Sequence, residues 1–431
     1  MSQAFEHFKD KKVLILGFGR EGRSTYNYIR KYLPEFPLAI ADQNHITVDD
    51  NNTTCICGDN YMSVINDYDI VMKSPGISVR DVQINENVEV TCQMDMFLKY
   101  APCRKIGITG TKGKTTTSTL IYKMIKSAGI STCLIGNIGV PVFEMIDSCD
   151  GMVAVIEISS HQLEFVRTSP EVAIITNIYP EHLDHYNGFE GYVNAKLNIV
   201  RYQSEDDIFI SNADQKITEF TNMKIKSKRI EISVNDDEEN EFLQKLAKLN
   251  SHLKGKHNAQ DIFFASATAS IFGAGAESIE KGVADFYGIP HRMELVGTFR
   301  GIKFYNDCIA TIPTAVMLAV DALKDVDTLI IGGMDRGIDY DSFIDNLANS
   351  KVSNIVCLPE TGYKIGAELE KHCKNKVFYA ENMEKAVEIS YDKTAKGKSC
   401  LLSPAASSYN CYKNFEEKGD HFKELVKKMA K

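Results

Sequence analysis

One stretch constrains this chain more than any other: residues 104–120, RKIGITGTKGKTTTSTL, where an apolar run breaks into a glycine- and threonine-rich turn and resumes as a helix. The apolar run begins at Ile106, the turn spans Gly107 to Thr115, and the helical pattern runs from Thr116 to about Ser127. Strand, turn and helix in that order aim a row of backbone N–H groups and a helix N-terminus at whatever occupies the turn, and both favour an anion such as a phosphate. Lys114 adds a mobile cation, and the Thr115 hydroxyl can ligate Mg²⁺. The usual signature, G-x-x-x-x-G-K-[ST], has glycine where this chain has Ile108; the glycines here are Gly107, Gly110 and Gly113. The turn is a variant P-loop, because Gly-Lys-Thr falls in register with both the strand and the helix.

A chain of 431 residues exceeds what one hydrophobic core usually supports, since cores stop growing at roughly 250–300 residues. Two or three domains are expected. The formal charge of −9 argues against nucleic acid as the main partner, because a phosphate backbone needs a basic face. No apolar stretch reaches the roughly 18–20 residues that span a bilayer, and the N-terminus MSQAFEHFKDKK lacks the apolar core of a signal peptide. A cytoplasmic protein is expected. The 11 cysteines are scattered without paired C-x-x-C knuckles, which suits idle thiols in a reducing compartment and gives zinc no support.

Taken in order, KKVLILG at 11–17 reads as a buried strand that turns into an amphipathic helix through GFGREGRS. Gly17, Gly19 and Gly22 complete G-x-G-x-x-G, and Asp42 closes the next strand-like run, PLAIAD. That spacing is the dinucleotide fingerprint, although the same geometry serves any diphosphate at a helix N-terminus. A further strand from Tyr68 to Met72 runs into KSPGIS, whose loop falls at the carboxyl edge of the same sheet. The helical TCQMDMFLKY and Pro102 then lead into the P-loop, placing a first boundary near residue 98. Strands and helices alternate through ISTCLIG, GMVAVIEIS, EVAIITN and DDIFISN, a pattern that predicts a mostly parallel sheet covered by helices. The polar run NDDEENE at 235–241 is expected to cap a surface helix ending near Leu249. After Pro290 the pattern begins again with GIKFYND, a helix from Thr311 to Leu323, VDTLIIGG, NIVCLP, KVFYA and KSCLLSP before a last helix. The fold class is therefore α/β with three domains: a Rossmann-like unit at 1–98, a central P-loop unit with a mostly parallel sheet at 99–289, and a second Rossmann-like unit at 290–431.

Several residues carry chemistry at these strand ends. Glu157 closes the apolar run VAVIE, where a carboxylate is placed to hold Mg²⁺. The loop NIYPEHLDHY gathers Asn177, Glu181, His182, Asp184 and His185 at the edge that carries the P-loop, which makes His182 a candidate ligand. Lys196, on the following helix, reads by itself as a solvated lysine. Asn258 suits either a base edge or a helix cap, and Arg292 suits a phosphate.

GITGTKGKTTT, IEISSHQLE, NIYPEHLDHY, the lysine of YVNAK, KHNAQD, IPHRME and the closing LLSPAASSYNCYKNFEEKGDHF together resemble the Mur ligases of peptidoglycan synthesis, over essentially the whole chain. The resemblance implies an ATP-dependent amide ligase. A UDP-muramoyl substrate is held by the N-terminal domain, ATP by the central one, and the incoming amino acid by the C-terminal one. The implied UDP-substrate is UDP-N-acetylmuramoyl-L-alanine, and the implied reaction adds glutamate to it through an acyl phosphate. ATP contacts then fall to the loop Gly110, Thr111, Lys112, Gly113, Lys114, Thr115 and Thr116, together with Asn258, Arg292 and Asp307. The UDP-substrate falls to the turn Gly17, Gly19, Arg20, Glu21 and Gly22, to Asp42, to the loop Ser74, Pro75 and Gly76, and to Asn137. The amino acid falls to Thr311, Arg336, Ser408 and Phe415. Two Mg²⁺ ions are implied, served by Thr115, Glu157 and His182 and by Lys196 as a carbamate, with Lys114, Lys196 and His182 as the catalytic residues.

One segment departs from the pattern of the glutamate-adding members. NDCIATIP stands where a D-S-K-A-T type sequence is usual, so Ile309 replaces a lysine and Cys308 a serine. D-glutamate is the amino acid expected, and Ile309 leaves L-glutamate or another amino acid as the alternative. Competing readings are a folylpolyglutamate synthase-like ligase, which needs no G-x-G-x-x-G domain, an NAD-dependent dehydrogenase, which leaves Lys114 and Glu157 without a task, and a nucleotide-binding regulator without turnover. Small-molecule substrates, no nucleic acid, no membrane and a monomer are the expected partners and state.

Overall fold

The computed structural model describes residues 6–430 apart from 139, 184, 236–240, 251, 252, 254, 287, 336, 337, 374 and 375. Asp184, Arg336 and most of the NDDEENE run lie outside the described residues. The chain divides into two compact units, residues 1–286 and 287–431. The first unit holds two sheets, so the boundary expected near residue 98 falls inside it.

The first sheet is built from β1 (Val13–Leu16), β2 (Leu38–Asp42), β3 (Thr53–Cys57), β4 (Ile70–Lys73) and β5 (Glu89–Thr91), all parallel, in the order β3-β2-β1-β4-β5. The sequences VLIL, LAIAD and IVMK are buried at every position, as strands covered on both faces by helices must be. The strand order reverses between β1 and β4, and the loops leaving these two strands diverge there to leave a crevice.

The second sheet runs β11-β10-β9-β6-β8-β7, again parallel, from β6 (Arg104–Thr109), β7 (Thr132–Gly136), β8 (Val153–Glu157), β9 (Val172–Ile175), β10 (Ile208–Asn212) and β11 (Lys228–Ile232). Strand β6 lies between β8 and β9, with Ile108 level with Glu157 and Thr109 level with Ile175. The central three strands therefore end together at one edge, and helix Lys114–Ser127 starts there. One hydrophobic core joins both sheets, with Ile15, Phe97, Ile156 and Tyr192 among its members.

The second unit has one sheet, ordered β12-β13-β17-β14-β15-β16, from β12 (Glu294–Phe299), β13 (Ile302–Asn306), β14 (Val326–Ile331), β15 (Asn354–Cys357), β16 (Val377–Tyr379) and β17 (Ser399–Leu402). Only the β12–β13 pair within it is antiparallel. The mostly parallel α/β architecture expected from the alternating pattern is thus present in both units. Strands β3, β5, β11 and β12 are additions to that expectation, and all four sit at or near sheet edges. The helix after the polar run spans Glu241–Leu249. No helix among the described residues is long and apolar enough to cross a membrane.

Candidate active site

The first glycine turn leaves β1 at Gly17, whose φ of 87° lies in the left-handed region. A Cβ on Gly22 would stand 2.0 Å from the Gly17 carbonyl oxygen, so only glycine lets helix Arg20–Tyr32 pack this close to the turn. Ser74 Oγ donates to the same carbonyl at 2.7 Å and ties the two switch-point loops together. Asp42 accepts from Phe18 N at 2.6 Å and from Asn44 N at 2.8 Å, so its carboxylate braces the turn. These loops border a cleft of about 450 Å³ lined by Gly17, Gly19, Arg20, Glu21, Asp42, Ser74, Pro75, Gly76 and Asn137. Every residue assigned from sequence to the UDP-substrate lies there except Gly22, which packs against Gly17. Gln162, which sequence reasoning missed, also lines it. Its Nε2 donates to Glu21 Oε1 at 2.6 Å, while desolvation raises the pKa of the Glu21 carboxyl.

The second turn follows β6 and is gripped by the loop after β9. Thr111 N donates to Asn177 O at 2.9 Å, Lys112 N to Asn177 Oδ1 at 2.8 Å, and Thr176 Oγ1 to Lys112 O at 2.6 Å. Gly113, with φ 86°, leads directly into helix Lys114–Ser127, which has no side-chain N-cap. A helix N-terminus without a side-chain cap suits an anion. The helix starts at Lys114, earlier than the pattern from Thr116 suggested. Lys114 Nζ folds back onto the carbonyls of Gly110 and Thr111, at 2.9 and 3.1 Å. Lys112 points outward and pairs with Glu181 at 2.8 Å. Thr115 and Thr116 lie half-buried in the first turn. Asn258 is half-buried in the first turn of helix Lys256–Ile271, whose N-cap is Gly255, so the capping role open to it from sequence falls to another residue.

Two buried ionisable groups flank this turn. Glu157 is 1% exposed; its Oε1 accepts Asn137 Nδ2 at 2.6 Å, whereas Oε2 has no hydrogen-bond partner. A buried carboxylate oxygen without a partner is costly unless a cation or donor arrives. Lys196 is also 1% exposed, which overturns the solvated reading that its sequence context invited. Its Nζ donates to Gly110 O at 2.8 Å and lies 4.7 Å from the centre of the Tyr192 ring. Desolvation first, and the nearby Lys114 second, push its pKa well below the ordinary lysine value.

His182 has a φ of 55° and is half exposed, with its ring 4.8 Å from that of His161. His161 in turn meets His185 at 4.2 Å, and burial with these neighbouring rings holds the His161 pKa down to about 4. His185 Nε2 contacts Glu164 at 3.2 Å, and Glu164 pairs at 3.0 Å with Lys73, which ends β4 and is almost fully buried. Ser78 Oγ donates to the His185 carbonyl at 3.3 Å. His161 and Glu164 fall within the IEISSHQLE motif and Lys73 ends a strand, yet the sequence assigned none of them a role. Among the described residues no group of three His, Cys, Asp or Glu side chains forms a ready metal site. A metal here would depend on threonine or substrate oxygens as well.

In the second unit Asp307 is buried, accepting Met293 N at 3.1 Å and the Ser403 hydroxyl at 2.8 Å, and desolvation raises its pKa to about 6. Arg292 beside it is exposed. Thr311 lies just before helix Pro313–Leu323, and Phe415 opens helix Phe415–Met429 with its ring 5.9 Å from His291. Ser408 is 2% exposed and its hydroxyl has no hydrogen-bond partner. Ile309 is half-buried beside fully buried Cys308. Lys418, also missed from sequence, is buried with Nζ donating to Gly332 O at 2.7 Å.

Comparison with known proteins gives this arrangement a family. Residues 108–271 match the Mur ligase middle domain, and residues 291–406 match the Mur ligase glutamate ligase domain. The chain is 30% identical, over the full length of both chains, to the UDP-N-acetylmuramoylalanine--D-glutamate ligase of Clostridium botulinum (strain Okra / Type B1), and 31% identical, again over both full lengths, to the enzyme of the same name from Clostridium kluyveri. Among solved structures it shares its fold with the UDP-N-acetylmuramate-alanine ligase MurC of Thermotoga maritima, at a TM-score of 0.54 and 17% identity, covering 97% of this chain and all of that one. The MurF ligase of Thermotoga maritima in complex with ADP matches at a TM-score of 0.51 and 14% identity, covering 98% and 97% of the two chains. With a phosphate-type loop beside a buried carboxylate and relatives that match it from end to end, the chain belongs to the Mur ligase family.

Proposed function

We propose that this protein is an ATP-dependent acid–amino-acid ligase of peptidoglycan synthesis that adds glutamate, in the D form, to UDP-N-acetylmuramoyl-L-alanine. The observation that carries the reading is the continuity of two sites: the cleft of the first sheet ends at Asn137, and Asn137 holds the buried carboxylate beside the phosphate loop. A ligase of this kind needs a nucleotide-linked substrate on one side and ATP on the other.

The reaction joins two anions before it makes the amide. The alanyl carboxylate attacks the γ-phosphorus of ATP, ADP departs, and an acyl phosphate forms; the glutamate amine then attacks the acyl carbon, inorganic phosphate leaves and the amine loses its proton. The protein's task is to neutralise and position charge as it moves onto transferring oxygens. Lys114 now bonds two neutral carbonyls, and an arriving phosphate offers it an anion instead. The N–H groups of Gly113 to Thr116 add the field of a helix N-terminus. Thr115 and the unshared oxygen of Glu157 suit Mg²⁺, which when bound neutralises phosphate charge. His182 and Lys196 would serve a second ion, with Lys196 as a carbamate. Its lowered pKa leaves a neutral amine able to attack CO₂, forming a C–N bond and releasing a proton, and the product is an anion where an ammonium would repel a metal. Asn258, Arg292 and Asp307 are assigned to adenine, phosphate and ribose, and Thr311, Ser408 and Phe415, with Arg336, to the amino acid. Domains 1–98, 99–289 and 290–431 divide this labour, in a cytoplasmic monomer.

The test is ATP-dependent phosphate release with UDP-N-acetylmuramoyl-L-alanine, comparing D-glutamate with L-glutamate. Release with D-glutamate is expected. A second reading rests on Ile309, an aliphatic side chain where the glutamate-adding relatives' pattern has a lysine: release with L-glutamate alone would assign acceptor choice to it, and no release with either would overturn the proposal.

A further inference from the structure

A carboxyl group that the mechanism does not use lies against the phosphate loop. Asp261, in helix Lys256–Ile271, is 6% exposed, and its Oδ1 accepts the Thr117 hydroxyl at 3.0 Å. A Cβ on Gly113 would stand 2.5 Å from that oxygen and 3.3 Å from the other, so the carboxyl fills the space a side chain would need at the last position of the loop. It sits at the point where helix Lys114–Ser127 begins.

Helix Lys114–Ser127, helix Ala276–Ala284, helix Glu241–Leu249 and strand β11 pack on the Asp261 helix. Charged side chains on these elements make contacts of their own: Lys114 on the loop carbonyls, Lys123 on Asp285 O, Lys245 on Glu280 and, on the Asp261 helix itself, Lys256 on Asn235. Burial raises the Asp261 pKa, and the hydrogen bond from the Thr117 hydroxyl acts in the opposite direction. A buried carboxylate without a cation is far less stable than the neutral acid. A negative charge at this point would also satisfy the helix N-terminus from inside, and so oppose the phosphate that the loop is built to receive.

We propose that Asp261 is a positioning residue of the nucleotide site that works as the neutral carboxylic acid, supporting the Gly113 turn and Thr117, so that nucleotide binds the protonated form and ionisation of Asp261 drives it off. This rests on the phosphate loop being the nucleotide site, as proposed above.

The measurement is the Kd of ADP with Mg²⁺ for the full chain, by calorimetry, at pH values on either side of about 8, the value to which burial raises this group. Wild-type Kd rises with pH above that point, approaching tenfold per pH unit where only the acid form binds. Asp261→Asn, which keeps the shape and cannot ionise, gives a flat profile, and Asp261→Ala binds weakly at every pH. Parallel profiles for wild type and Asp261→Asn overturn the inference. Absence of binding at every pH overturns the nucleotide reading and this inference with it, a result distinct from parallel profiles. Thermal melting supplies a second readout. The folded-state pKa lies above the unfolded one, so wild-type stability falls as pH rises towards about 8. Asp261→Asn lacks that slope, and an unchanged slope in the variant counts against the proposal.

Discussion

The two glycine turns of the first unit share a plan and differ in their side chains. Each leaves the carboxyl end of a parallel strand and opens a helix, at Arg20 in one case and at Lys114 in the other. Around the first turn the polar groups are satisfied internally: Asp42 takes two backbone N–H groups, Ser74 holds the Gly17 carbonyl, and Gln162 holds Glu21. Around the second a buried carboxylate oxygen has no partner, while a lysine and a buried amine of lowered pKa rest on carbonyls of the loop itself. Backbone geometry makes both turns anion sites. Under the proposed function, the charges around them separate a site that would hold a diphosphate from one that would transfer a phosphoryl group.

The largest effect that tests this contrast is expected at Lys114. Lys114→Ala should lower turnover by on the order of 10³ and leave UDP-substrate affinity unchanged; a parallel loss of that affinity, measured by calorimetry, would break the division between the turns. Gly22→Ala comes next. Its Cβ would meet the Gly17 carbonyl, so the helix must shift, and UDP-substrate affinity should fall by roughly 10² while ADP affinity holds, because an error of ångström size at a positioning element costs about that much. Equal losses for both ligands would mean that the turns do not act separately. The smallest effect is at Asn137, which orients Glu157 without carrying charge. Asn137→Ala should raise the Mg²⁺ concentration needed for half-maximal rate by about 10-fold to 100-fold, and an unchanged Mg²⁺ requirement would detach Glu157 from the metal.

The buried strands were legible because VLIL, VAVIE and VAII are continuous apolar runs flanked by turns. Strands β3, β11 and β12 were not, since TTCIC, KRIEI and ELVGTF lie at sheet edges and keep exposed positions. Their pairing comes from the neighbouring strand, and local sequence does not encode it. In the same way, the turn residues could be read from motif spacing, whereas Asn137 was assigned only through the family resemblance. The burial of Lys196 could not, because a lysine one turn after Tyr192 looks alike on a solvated face and in a closed pocket. Contacts between distant segments, such as Lys73 with Glu164 or Asp261 with Thr117, have no local signature at all.

The contacts among Lys73, Glu164, His185 and His161 also tie the loop of His182 to more than its own sheet. By chain connectivity its loop follows β9 and belongs to the nucleotide sheet. By contact, the loop is pinned through His185 to Glu164 and Lys73 and, by its carbonyl, to Ser78, so part of its anchorage lies in the sheet that bears the first cleft. The loop that carries His182 is therefore held from both sides: it grips the phosphate loop at Asn177 and meets the first sheet's loop at Ser78.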